Sequence, residues 1–337
     1  MKQTSPRKRR SQGGLTLIEL LVAMAVGLVV TIAALAMLTM GRTGFGAVDA
    51  STQLLDKERF AVDLMTRVIA QAGFEDYGSS SLMTRAAAKG QLGTEPDIFG
   101  WDNAIYADPA GPAAVSQTTA IADGNRPGKC TVPTSDTSCH NGSDVLMVRF
   151  QGVGDLSMIN CMGIEEPTPA PGDFDSRAMN FFFVDRKGTS VEPSLYCGYY
   201  NKDATPPDFV IQPLLEGIEA MQVLFGTDNV SPNQIPAATG TDTIADRWLR
   251  ADELKVPANP DATRENFRRV RAVRVGLVLR GPPGSAQDRS ARSLAPLGSP
   301  TFVAGADVGS RLNVAGDGRL RRVITFTVHI RNELGLK

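Results

Sequence analysis

Four cysteines, two histidines and one glutamate at the head of an apolar run are the side chains of this 337-residue chain whose types and spacing could do chemistry. Cys130, Cys139, Cys161 and Cys197 are an even set, and three pairings are open to them. Pairing Cys130 with Cys139 and Cys161 with Cys197 is favoured, because each bond would staple a local loop. A zinc site would need Cys-x-x-Cys spacing, which is missing, and His140 is the one nearby imidazole. Catalytic motifs are absent as well: no Gly-x-Ser-x-Gly, no His-Glu-x-x-His and no Walker loop, since the stretch from Gly124 to Cys130 has the wrong spacing and lacks Ser/Thr. Gly152-x-Gly154 lacks a third glycine. The stretch from Gly226 to Pro232 lacks the repeated Asp-x-Asp and closing Glu of a calcium loop, so no metal and no cofactor is assigned. An anchored hydrolase would have to rest on carboxylates that sequence alone cannot pair, and the chain reads as no enzyme.

Glu19 is different, because of what surrounds it. Lys2, Arg7, Lys8, Arg9 and Arg10 precede Gly13-Gly14-Leu15-Thr16-Leu17-Ile18-Glu19, and an apolar run follows from Leu20 to Met40, relieved by Gly27, Thr31 and Thr39. At 1.5 Å per residue that run reaches roughly 31 Å, the thickness of a bilayer's hydrocarbon core. A core helix of a soluble protein rarely stays apolar on every face, so a membrane span is expected. The bases of the leader hold the N-terminus in the cytoplasm and send the remainder outward. A carboxylate at the edge of such a span calls for a partner, although an acid in a first helical turn is also favoured by the helix dipole. An ordinary secretory signal carries its small-residue cleavage site after the apolar run; here the small pair lies before it. In this the N-terminus resembles the class III signal of type IV prepilins. The resemblance implies cleavage between Gly14 and Leu15, N-methylation of Leu15, and a role for Glu19 as the assembly charge that meets the N-terminal amine of a neighbouring subunit.

The elements beyond the run must present this head. Without the five leader bases, 30 basic residues face 36 acidic ones, so the mature chain is not drawn to nucleic acid. Leu54, Ala61, Met65, Val68 and Ala72 form a helical stripe within 47–76 that stops near Gly73, and Gly41, Gly44 and Gly46 weaken the junction before it, where a bend or local melting is expected. Residues 77–142, rich in Gly, Pro, Ser, Thr and Asp, read as a loop-rich insertion. Strands are expected at 145–150, 179–184 and 195–200, and their aromatic residues read as core rather than a stacking surface. Val273, Val275, Leu277 and Leu279 alternate with Arg274, Gly276 and Arg280, and Ile324, Phe326, Val328 and Ile330 alternate with Thr325, Thr327, His329 and Arg331. Each is the pattern of a strand with one solvated face, which accounts for the arginines at 264, 268, 269, 271 and 274 without a DNA patch.

The blocks Leu215–Gly226, Val270–Arg280 and Arg321–Asn332, with Arg59-Phe60 through Ala72-Gly73-Phe74, resemble the PilW family of type IV pilus assembly proteins. The resemblance implies an α+β, type IV pilin-like fold, a long N-terminal transmembrane helix packed on an antiparallel β-sheet domain with large loop insertions. The expected order is a leader over 1–14, an assembly helix over 15–40, a periplasmic helix half over 41–76, the insertion over 77–142 and the sheet domain over 143–337. It further implies a minor pilin in the inner membrane that primes or caps a fibre with other minor pilins and the major pilin. The partners implied are a prepilin peptidase/N-methyltransferase, the inner-membrane assembly platform and a PilY-type tip adhesin. A minor pseudopilin of type II secretion shares the same signal, helix and sheet, and a tip module for DNA uptake or adhesion is the alternative of another class.

Overall fold

A computed structural model describes residues 14, 16–75, 96–105, 128–129, 140–168, 177–186, 192–201, 208–298, 302 and 307–332. The chain divides into two compact units, Met1–Asp49 and Ala50–Lys337. One helix, α1 (Leu17–Ala70), supplies the described helical residues of the first unit and the opening of the second. It is helical through Gly41, Gly44 and Gly46. Each glycine costs only about 1 kcal/mol relative to Ala, which a cooperative ladder of this length absorbs.

In the first unit α1 exposes its large apolar side chains, Leu17 at 77% and Met37 at 74% among them. In the second, Ala50, Leu54, Ala61, Met65, Val68, Ile69 and Ala72 are buried, the spacing that keeps one side of a 3.6-residue helix inward. Gly73 ends this run at φ +71°, a left-handed position that glycine takes without a Cβ clash, and its N–H donates to Arg149 O at 3.0 Å.

The second unit is built on two antiparallel sheets. The first has the order β1 (Ile98–Trp101), β4 (Val145–Phe150), β5 (Ala178–Asp185), β6 (Ser194–Asn201) and β7 (Asp208–Glu216). The short strands β2 (Ala104–Ile105) and β3 (Gly128–Lys129) pair separately. The second sheet has the order β13 (Arg321–His329), β10 (Val270–Arg280), β8 (Ile218–Thr227) and β9 (Arg247–Leu249). Two short helices, α2 (Ala251–Leu254) and α3 (Pro260–Arg268), lead into β10, and a ribbon of β11 (Arg292–Leu294) and β12 (Leu312–Val314) lies between β10 and β13 in the chain. The described elements thus form an α+β fold, one long helix and antiparallel sheets.

The chain passes from the first sheet to the second at Gly217. Its φ of +84° and the carbonyl of Arg280, 2.8 Å from where a Cβ would stand, admit only glycine. The block Leu215–Gly226, continuous in sequence, is therefore the end of one strand and most of the next.

Two expectations change here. Residues 77–142 contain β1, all four residues of which are buried; a strand of four is too short to show a period. Gly100 in β1 is needed because a Cβ there would strike the Phe225 ring. Phe99 stacks on Phe267 with ring centroids 3.9 Å apart, so a segment read as loop supplies core. The outer face of β10 is also not solvated. A Cβ at Gly276 would collide with the Pro296 carbonyl, and Val278 and Ala220 pack with Leu312 and Val314 in a second apolar cluster. Parts of the stretch between β10 and β13 therefore roof that face. By contrast β13 shows the expected alternation, with Ile324 and Val328 buried and Thr325, Thr327 and His329 exposed.

Candidate functional site

At the head of α1, Thr16 and Glu19 cap the helix reciprocally. The Thr16 N–H and hydroxyl each donate to Glu19 Oε2 at 2.9 Å, and the Glu19 N–H donates to Thr16 Oγ1 at 3.3 Å. This capping box satisfies amides that have no partner within the helix. Its Thr-x-x-Glu spacing is the sequence signature that marks Thr16 as the cap. Gly14 is exposed just before it. Leu15, the leader bases and the pair Cys130 and Cys139 lie outside the described residues.

One turn further on, Ile18, Val22, Ala23, Val26 and Gly27 line an open apolar recess that Glu19 borders. Nothing lies within 4 Å of where a Gly27 Cβ would be, so the recess is a place where another surface could come close to the backbone. Among the described residues α1 is the one helix long and apolar enough to cross a membrane.

In the second unit several described polar residues tie segments together. Cys161 is bonded to Cys197, with Cα atoms 6.0 Å apart, which ties the 151–168 loop to β6. Gln71 grips that loop from the end of α1: its Nε2 donates to Ile159 O and its Oε1 accepts from Ile159 N, both at 3.0 Å. Arg177 is buried and ion-paired to both Asp97 and Glu75, and these acids hold it charged despite burial. Among the described residues no group of three or more His, Cys, Asp or Glu is placed to hold a metal ion.

Sequence reasoning missed a trio of buried aspartates, Asp102, Asp144 and Asp307, drawn from segments too far apart to pair by eye. Asp102 accepts from Ala251 N at 3.1 Å and Asp252 N at 2.8 Å, anchoring α2. Asp144 accepts from Asn103 N at 3.0 Å and Val223 N at 2.8 Å. Burial pushes Asp102 up to about 7, and burial reinforced by the charges of Asp102 and Asp307 holds Asp144 well above the carboxylate range. Burial raises Asp307 too, with Arg250 opposing. These carboxyls act as acceptors that fix loops. His140 is pushed down to about 4, first by burial and then by Arg186, and so stays neutral.

Four of the five clustered arginines are ion-paired. Arg264 meets Asp261 at 2.9 Å, Arg268 and Arg269 meet Glu265 at 3.3 and 3.5 Å, and Arg271 meets Asp228 at 3.5 Å. Arg269 and Arg271 are buried, so their charges are neutralised inside rather than solvated on a strand face.

A helix headed by this signal and followed by antiparallel sheets fits a membrane-anchored pilin. Residues 9–35 match the prokaryotic N-terminal methylation motif, and residues 181–332 match the family described as type IV pilus-assembly protein W. The two matches support a PilW-type type IV pilus assembly protein with a prepilin-like signal. No curated protein matches it. Among solved structures it is similar to a type IV-like pilin from Thermus thermophilus, at 12% identity over 83% of this chain and 96% of that one, with a TM-score of 0.38.

Proposed function

We propose that the chain is a minor pilin that is cut after Gly14, methylated on Leu15 and assembled with other pilins into the base or tip of a type IV pilus. The observation that carries this reading is the first unit. Its apolar side chains are exposed from Leu17 to Met40, and a surface of that size is stable only in lipid or against like helices. The family's association with pilus assembly supports pilin neighbours and the pilus machinery as partners, and the signal supports an N-terminus in the cytoplasm with the second unit in the periplasm. Members of such families are structural, and the role proposed here is priming or capping the fibre.

In this reading Glu19 serves two states. Before assembly its carboxylate closes the cap with Thr16. In the fibre it meets the N-terminal amine of the neighbouring subunit, whose charge would otherwise be unpaired in an apolar setting. Glu19→Gln separates the roles, because a glutamine keeps the capping acceptor and loses the charge. The expected outcome is normal membrane insertion and no incorporation into pili; incorporation at the wild-type level would refute the ion pair.

The direct test of processing is the mass of the N-terminal peptide in cells with and without the prepilin peptidase. A methylated Leu15 that disappears with the peptidase is expected, and an intact leader in both strains would overturn the proposal. Deletion should remove surface pili and leave type II secretion unaffected.

A further inference from the structure

Four of the five clustered arginines are neutralised by carboxylates, and Arg274 is not. Its guanidinium carbon lies 4.3 Å from the centre of the Trp248 ring and 4.8 Å from that of Phe302. Among the described residues its hydrogen-bond partner is the hydroxyl of Thr327, which accepts from Nε at 3.3 Å, and it makes no ion pair. Arg274 sits on the outer face of the second sheet, beyond the part roofed by Pro296 and the β11–β12 ribbon, and it is partly exposed. Trp248 is fixed by packing on Gly226, where a Cβ would come within 3.1 Å of its ring. Thr327 and His329 are exposed on the neighbouring strand.

We infer that Arg274 is a receptor for a carboxylate on a protein partner. Rings at its face remove water from the guanidinium and hold its plane still, so less side-chain freedom is lost when a ligand arrives. The Thr327 hydroxyl takes up Nε. The two terminal nitrogens remain, a fork matched to the two oxygens of an Asp or Glu side chain. An acidic sugar would need a bare aromatic face to stack on, and Arg274 already covers one face of each ring. The partner is therefore a protein with an exposed acidic side chain. This inference does not depend on how the fibre is built.

The test uses the full chain in detergent micelles at low salt. Of the two tryptophans, Trp101 is buried at 2% exposure, so fluorescence changes report on Trp248. Titration with N-acetyl-glutamate methylamide should give a saturable change, and the matched glutamine compound should give none. An equal response to both compounds overturns the inference, as does no response to either. R274Q should weaken the glutamate response about tenfold, the worth of one bidentate charged contact. Unchanged binding by R274Q with wild-type melting would overturn the assignment. If R274Q fails to fold, R274K, which keeps the charge and loses the planar fork, should still bind several-fold more weakly, and unchanged binding would count against the fork. Glucuronate binding tighter than the glutamate compound would replace the protein partner with an acidic sugar.

Discussion

The two units of this chain treat apolar surface in opposite ways. From Leu17 to Met40 nearly every large apolar side chain is exposed, whereas the second unit buries Phe181, Phe182, Phe183, Phe225 and even the charged Arg177. The first is a surface completed by lipid or by other helices, and its free energy lies in association. The second keeps its apolar core inside, where Arg177 is paired with Asp97 and Glu75. Substitutions should therefore act on assembly in one unit and on unfolding in the other.

Breaking the second unit should have the largest effect. Arg177→Met leaves Asp97 and Glu75 without their cation, and stability measured by denaturant unfolding should fall by about 3–5 kcal/mol. A loss under about 1 kcal/mol would show that the acids find other partners. Cys161→Ser with Cys197→Ser opens a bond that spans 36 positions, for which about 4 kcal/mol is expected by the same assay.

A smaller effect should follow pH. Asp102 has a folded pKa of about 7 against the ordinary 3.8, so the folded state binds its proton more tightly. Its contribution to stability is fully present below about 4 and is lost as pH rises through about 7. Unfolding free energy should thus rise by roughly 1–3 kcal/mol on going from about pH 8 to about pH 5. Asp317 runs the other way. Its hydrogen bonds from Arg321 hold it at about 2, so its contribution, present above about 4, is lost as pH falls toward 2. Asp102→Asn should flatten the rise; an undiminished slope would move its origin to Asp144 or Asp307.

The smallest effect on unfolding belongs to the first unit. Val22→Ala and Val26→Ala widen the exposed recess beside Glu19 and should change unfolding of the second unit by no more than about 0.5 kcal/mol. Co-purification with other pilins should nonetheless decline. A clear drop in unfolding stability would erase the contrast between the units.

How far the sequence could be read follows the same division. The signal, the span and the strands at 145–150 and 324–330 are local patterns in which each residue's type reflects its own surroundings. Gly217 was legible only as a glycine, because its meaning depends on the Arg280 carbonyl across the sheet. The roof over Gly276 and the convergence of Asp102, Asp144 and Asp307 depend on segments brought together by topology. One strand's alternation therefore predicted a solvated face that another segment covers. At the candidate site the charge of Glu19 was evident from its apolar setting, and its tie to Thr16 followed a spacing rule that needed only to be applied.

Asn332 donates to the carbonyls of Ala70 and Ala72 at the end of α1, at 3.3 and 3.2 Å and across 262 and 260 positions. Arg322 of β13 likewise pairs with Glu58. A chain made from its N-terminus offers its helix long before these late partners exist, so the second unit closes only near the end of synthesis. Through that interval the stripe of Leu54, Met65 and Val68 is uncovered, and the nascent protein is most open to proteases and most dependent on chaperones.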